Sequence, residues 1–196
     1  MVHIIKTDPV KRYKLAKILD LNERKRHLTA KKGFEPWFRR FGTPFDDNTS
    51  IRDLDSSIVR HLIRGGEESA MALYELIMGI MGLGAGPRFH YLEIDNKMGV
   101  TDITLFLLDL LRFEAMYRLG WLVDYPFLTV PLLDLVQNFS GQFSAARHQS
   151  PALSPAHPKY SLYIAEFEGD RNSFVRKMIP EAIQAFCENK DDAGKS

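Results

Sequence analysis

His90 and Glu93 are the one pair of polar residues whose spacing resembles a set of metal ligands. They belong to residues 89–94, which alternate in the way that is typical of a β-strand. On a strand, residues three positions apart point to opposite faces, so this pair could not share a metal ion. A metal site also needs further ligands, and none lies at a recognisable spacing. We therefore expect no metal site and no bound cofactor, and His90 and Glu93 stay catalytic candidates only.

Charged residues interrupt the most apolar part of the chain, residues 103–136. Residues 102–122 have the hydrophobic spacing that most clearly predicts a helix. Burial of these charges would be costly unless they are paired. The spacing predicts two pairs, Asp109 with Arg112 at i,i+3 and Glu114 with Arg118 at i,i+4. Carboxylates in a cleft are also a usual place for catalysis, so Glu114 and Arg118 join the catalytic candidates.

Motifs for nucleotide binding and nucleophilic catalysis are incomplete in this sequence. The C-terminal Gly-Lys-Ser resembles the end of a phosphate-binding loop, but Asn189 stands where that loop needs its first glycine. The glycine run at residues 82–86 follows a predicted helix rather than a strand, which indicates a helix end. The single cysteine, Cys187, lies on an apolar helix face and is interpreted as a packing thiol.

The first 40 residues are basic and end in an aromatic cluster. They hold 12 Lys or Arg against 4 Asp or Glu, a net charge of +8, whereas the other residues carry −7. Basic side chains attract phosphates, and exposed rings stack on unpaired bases. Alternatively, the rings are buried and the segment packs on the acidic body, because large exposed aromatic patches are unusual. The candidate binding residues are Arg24, Lys25, Arg26, Trp37, Arg39 and Arg40.

Helical periodicity dominates the rest of the chain and predicts a mainly α fold. Residues 102–122 are apolar around most of the helix, so we expect this helix to be central. The prediction is a compact bundle of about six to eight helices around it. Gly33 is expected to end an early short helix and to leave residues 34–45 irregular. The other main helices are predicted at residues 53–64, 67–82, 129–147 and 171–189.

A small two- or three-stranded β element is an open addition to this bundle, because three segments alternate like strands at residues 2–6, 89–94 and 160–167. Residues 148–159 contain three prolines and are predicted to form a loop. The domain prediction is an N-terminal segment, 1–50, packed on a helical domain, 51–190, with a mobile tail at 191–196.

Cellular location follows from what the sequence lacks. One cysteine cannot form an internal disulfide, and the first residues lack the pattern of a secretory signal, so we expect a soluble cytoplasmic protein. No uncharged run approaches the roughly 18 residues of a membrane span.

Two hypotheses of function remain. The favoured one is a non-enzymatic interaction or assembly protein, whose basic N-terminal segment binds an acidic protein or a nucleic acid. The alternative is a small-molecule-binding or catalytic helical protein, with a pocket near residues 71–81 and the loop at 82–86. A cleft that gathers the catalytic candidates would favour the alternative, and a flat basic face with exposed rings would favour the first. Homo-oligomerisation stays open under both.

Overall fold

Every regular element in the part of the chain that the computed structural model describes, residues 21–189, is helical. The predicted mainly α class is therefore confirmed. None of these helices combines the length and the apolar character needed to cross a lipid bilayer. The α-helices are α1 Leu21–Phe41, α2 Ser56–Ile63, α3 Glu67–Met81, α4 Ile94–Arg118, α5 Leu132–Gln137, α6 Phe139–Arg147, the single turn α7 Tyr160–Leu162, and α8 Arg171–Glu188.

The predicted strands at residues 89–94 and 160–167 are wrong. The first half of residues 89–94 lies in a 3₁₀ helix, Gly86–Tyr91, which Pro87 favours at its start by presetting a helical φ, and residue 94 begins α4. The second consists of α7 and a π-helical turn, Tyr163–Phe167. Short apolar runs do not distinguish a helix from a strand, and here packing decides in favour of the helix. Residues 2–6, the third predicted strand, lie outside the described residues.

Helix α1 is continuous over 21 residues, so the predicted break at Gly33 and the irregular stretch that begins at residue 34 are wrong. Gly33 and Gly79 bring the backbones of α1 and α3 into contact. A Cβ atom on Gly79 would lie 2.9 Å from both the Gly33 Cα and the Lys32 carbonyl oxygen. Pro36 leaves that carbonyl without its usual helical partner, because proline has no N–H group. The features that predict a helix end instead form a close helix crossing.

Helix α4 packs against α2, α3 and α8. It begins at Ile94, earlier than predicted, and Leu107, Leu110 and Leu111 are among its buried residues. Each buried leucine of this kind contributes about 1.5–3 kcal/mol relative to an exposed position. Helix α4 therefore forms one wall of the core, against which three other helices place their apolar faces.

The predicted helix at residues 129–147 is wrong as a single element. The chain forms a 3₁₀ turn, Pro126–Thr129, followed by α5 and α6. Asn138, between α5 and α6, has φ −110° and ψ 29°, which interrupts the helical backbone. Four of the six residues of α5 are buried, whereas α6 buries none completely, so the turn at Asn138 directs α5 into the core and α6 along the surface.

Residues 148–159 form a strap that fastens the end of α4 to α8. The Val123 N–H donates to the Ala152 carbonyl at 2.8 Å, and the Ser154 N–H donates to the Trp121 carbonyl at 2.9 Å. His157, near the end of the strap, is buried between the rings of Trp121 and Phe174. The strap also forms part of the wall of a surface groove, described below.

Candidate functional site

Glu114 is fully buried, and both oxygens of its carboxylate are occupied. The Arg52 Nε donates to Oε2 at 2.9 Å, and the Arg118 Nε donates to Oε1 at 2.7 Å. Arg118 also donates to the Leu54 carbonyl at 2.7 Å and to the Ser56 hydroxyl at 3.0 Å. The structure contains the predicted pairing of Glu114 with Arg118, and this cluster holds residues 52–56 on α4.

Arg52, which the sequence did not indicate, completes this buried cluster. Its Nη2 donates to Asp124 at 3.0 Å, and its guanidinium lies 3.7 Å from the centre of the Tyr117 ring. Burial opposes the charged form, but the hydrogen bonds to Glu114 and Asp124 outweigh it, so the pKa of Arg52 lies above its ordinary value. No local spacing pointed to Arg52, because it is 62 positions from Glu114.

His90 and Glu93 lie on the surface between α3 and α4, with exposed side chains. The His90 ring contacts Phe89 edge to face, and no hydrogen bond or ion pair among the described residues joins His90 or Glu93 to Glu114 or Arg118. Within residues 21–189, no three His, Cys, Asp or Glu side chains are grouped to hold a metal ion. The structure therefore does not bring the four catalytic candidates together in one cleft.

The glycine loop at residues 82–86 packs directly on α3. Gly82 adopts a left-handed conformation with φ 73°, and the Leu83 N–H closes the helix end by donating to the Met78 carbonyl at 2.9 Å. A Cβ on Gly86 would lie 2.7 Å from the Glu75 Cγ. Gly86 thus packs closely on α3, and neither of the two cavities described below is lined by residues 71–86.

Arg26, on the inner side of α1, is bound to the body of the protein. Its guanidinium donates to both oxygens of Asp134, at 2.5 and 2.9 Å, and to the Asp47 carbonyl at 2.9 Å. The hydrogen bond to Asp134 is the main reason that the pKa of Arg26 lies above its ordinary value. A bidentate pair of this kind fixes both position and orientation, so Arg26 attaches α1 to α5.

Three further candidates on α1 are also engaged within the protein. Arg40 donates to Glu75 at 2.9 Å, and Arg39 pairs with Glu35 one turn away. Trp37 is fully buried, and its Nε1 donates to the Ala72 carbonyl at 2.7 Å. Trp37 and Arg40 thus attach α1 to α3, and Arg39 pairs along the surface of α1.

The solvent side of α1 has a different character. Four cations there are exposed and form no ion pair with any residue in 21–189. Leu28 and Phe38 lie on the same side, 50% and 53% exposed. Successive residues advance by about 100° around a helix, which places these groups within one broad sector. We call this sector the outer face of α1, consisting of Arg24, Lys25, Leu28, Lys31, Lys32 and Phe38.

A depression of about 370 Å³ adjoins the outer face. Phe34 and Phe45 stack at 5.4 Å and form part of its wall, together with Phe38. Lys31 contributes a positive charge, and Glu35 and Asp46 contribute negative charges. The sequence did not indicate Lys31, Lys32 or Leu28 as site residues, whereas Phe38 is one of the rings that it offers for stacking on bases. Helical periodicity would have grouped them if α1 had been recognised as continuous.

A second, larger concave feature of about 580 Å³ runs along α4. The strap, α6 and the start of α8 form its other walls. Its floor and sides include Phe106, Phe139 and Phe143, and its charged groups include Asp102, Arg147 and Arg176. No residue of α1 lines this groove, so it is a separate candidate site.

The chain was compared with models of protein families, with curated proteins and with solved structures. None of them matches it. The function is therefore inferred from the geometry and charge of the side chains.

Proposed function

We propose that the protein is a non-enzymatic interaction protein that binds an acidic, partly apolar protein segment on the outer face of α1. The observation that carries this proposal is the contrast between the two sides of α1. Arg26 and Arg40 are paired with carboxylates of the body, whereas Arg24, Lys25, Lys31 and Lys32 have no carboxylate partner in residues 21–189. Unpaired cations on one face favour association with an oppositely charged surface.

The apolar residues on this face support a protein partner. Leu28 and Phe38 are half exposed, and the depression beside them has an aromatic wall. An apolar side chain of a partner would be desolvated there, which is the usual origin of affinity at an interface. An amphipathic segment, with acidic residues beside apolar ones, matches both parts of the face.

A nucleic-acid partner fits this face less well. Trp37 and Phe34, the rings that could stack on bases, are buried, and Phe38 is the one Phe or Trp ring of α1 exposed to solvent. Binding of single strands uses several exposed rings along a basic groove.

Selection from random peptides tests the proposal without assuming a sequence. Peptides of about three helical turns, displayed on phage, are selected on the full chain. We expect the enriched peptides to combine Asp or Glu with apolar residues at helical spacing. Their affinity, measured by fluorescence anisotropy, should fall about tenfold or more in the Gln variant of Arg24, Lys25, Lys31 and Lys32.

A charge-matched control removes four exposed cations elsewhere and should leave peptide affinity unchanged. Phe38→Ala should weaken the same peptides, because it removes apolar contact without changing charge. Enrichment of neutral or basic peptides would contradict the proposal. Unchanged peptide affinity in the variant with the four α1 cations replaced by Gln would contradict it as well. Tighter binding of a single-stranded oligonucleotide at ~50 mM salt, insensitive to Phe38→Ala, would favour nucleic acid instead. The control changes are Arg64, Arg88, Arg171 and Lys177 to Gln.

A further inference from the structure

The groove along α4 has the size and lining of a small-ligand site. Its volume, about 580 Å³, lies in the range of roughly 300–1,000 Å³ that such sites occupy. The α4 residues that line it recur every three or four positions from Asp102 to Phe113, so they share one helix face. Eleven steps along an α-helix correspond to about 16 Å, which makes the groove elongated rather than round.

Aromatic and aliphatic side chains remain open to solvent within the groove. Phe106 meets Phe139 and Phe143 edge to face at 5.8 and 5.7 Å, and the latter two rings stack at 5.4 Å. Phe143 is 39% exposed and Leu105 is 57% exposed. Exposed large apolar side chains gathered in a concave site indicate a surface that is covered when a ligand binds.

The charges are distributed unevenly along the groove. Asp102 is exposed and forms no ion pair with any residue in 21–189. Seven positions further along α4, Asp109 accepts from Arg112 at 3.3 Å and from Arg176 at 2.9 Å. Because two guanidinium groups share that one carboxylate, the Asp109 cluster is positive overall. The groove therefore has a negative group at Asp102 and a positive one about 10 Å away along the helix axis.

Two further groups line the groove without adding negative charge to it. Arg147 forms no ion pair with any described residue, and its guanidinium lies 5.8 Å from the centre of the Phe143 ring. The Tyr125 hydroxyl donates to the Gln149 carbonyl at 3.0 Å. Burial raises the pKa of Tyr125 to about 12, so the phenol stays neutral and adds no negative charge to the groove.

We infer that this groove binds a short linear peptide of about three residues with a central aromatic side chain. A free peptide carries an ammonium group at one end and a carboxylate at the other, and three extended residues span roughly 10 Å. That length matches the distance between the two charged ends of the groove. The ammonium group pairs with Asp102, the carboxylate binds the free N–H groups of Arg176, and the ring lies against Phe106 and Phe143. This site is independent of the outer face of α1.

Blocked peptides test this inference directly. The probes are Ala-Phe-Ala with free termini, its N-acetylated form, its C-terminal amide, and Ala-Ala-Ala, each titrated into the full chain by calorimetry or ligand-observed NMR. We expect the free Phe peptide to bind tightest. Blocking either end should weaken binding about tenfold, since each block removes one charged contact. Replacing the Phe by Ala should weaken it by a similar factor, since the ring contact is lost.

Two variants test which residue of the groove binds each end of the peptide. Asp102→Asn should abolish the discrimination against the N-acetylated peptide, and Arg176→Gln should abolish the discrimination against the amide. Asp95→Asn and Arg171→Gln, exposed residues outside the groove lining, are the matched controls and should preserve both preferences. A melting curve of each variant confirms that it is folded. Equal binding of free and blocked peptides, unchanged discrimination in Asp102→Asn, or no saturable binding of any probe would overturn the inference.

Discussion

At the scale of single residues, the buried carboxylate of Glu114 shows how a charge is tolerated inside a helical core. An unpaired carboxylate in that position would cost several kcal/mol. Arg52 and Arg118 each donate to a different oxygen, and Arg118 also reaches two backbone carbonyls, of Arg52 and Leu54. With both oxygens engaged and neither cavity lined by Glu114, the geometry favours a structural role over acid–base chemistry.

Glu114→Gln is expected to lower the free energy of unfolding by about 3 kcal/mol, because it leaves two partly buried guanidinium groups without their counter-charge. Urea denaturation of the purified variant measures this change. Asp109→Asn is the matched control, since its ion pairs are more exposed and such pairs contribute about 0–1 kcal/mol. A loss in Glu114→Gln no larger than in the control would show that the cluster is not important for stability.

At the scale of elements, the crossing of α1 and α3 is the contact that places the outer face of α1 on the surface. Gly33 lies directly against Ile80, and Gly79 lies against the backbone of α1. Trp37 adds a hydrogen bond to the Ala72 carbonyl at 2.7 Å. Because the inner side of α1 is occupied by this crossing, its remaining cations are directed toward solvent.

Gly79→Ala should destabilise the protein by about 1–2 kcal/mol, since the new methyl group meets backbone atoms that cannot move aside and this overpacking exceeds the gain in helix propensity. The matched control is Gly141→Ala in α6, where no atom lies within 4 Å of the added Cβ. That change should stabilise by about 0.5–1 kcal/mol. Thermal or urea unfolding distinguishes the opposite signs, and equal effects of the two changes would contradict the close crossing.

At the scale of the whole molecule, the strap across α4 and α8 contains a buried histidine whose protonation should affect the free energy of unfolding. His157 is buried in the strap, and its Nδ1 accepts from the Lys159 N–H at 2.9 Å. Burial is the main reason that the pKa of His157 lies below its ordinary value, and Lys159 lowers it further, while Glu181 opposes both. The folded state therefore favours the neutral imidazole.

The free energy of unfolding should decrease as the pH falls below about 6.5, the ordinary pKa of histidine. The unfolded chain takes up the proton more readily than the folded one, so stability is present above that pH and is lost as the pH falls through the lower folded pKa. Urea denaturation between about pH 7.5 and pH 5 measures the slope. His157→Gln should flatten the slope, whereas His148→Gln, at an exposed position of the strap, should not. An unchanged slope in His157→Gln would show that His157 is not the origin of the pH dependence.

The local periodicity of the sequence by itself determined the fold class of this protein and several of its local features. It predicted the mainly α class, the helix that ends at Gly82, and the pairs Asp109–Arg112 and Glu114–Arg118. These features depend on residues within one or two helical turns, and the spacing of neighbours along a helix is the same in every fold. The same reasoning required that charges on a buried helix be paired.

Tertiary structure alone decided the rest. Gly33 by itself predicts a helix end, and only the contact with α3 shows that it lies inside a continuous helix. The segments at 89–94 and 160–167 alternate like strands, yet packing against helices makes them helical. Arg52 contacts Glu114, which is 62 positions away in the sequence. The groove along α4 is lined by residues as far apart in the sequence as Asp102 and Arg176. Contacts between distant positions have no fixed spacing, so no periodicity in a single sequence reveals them.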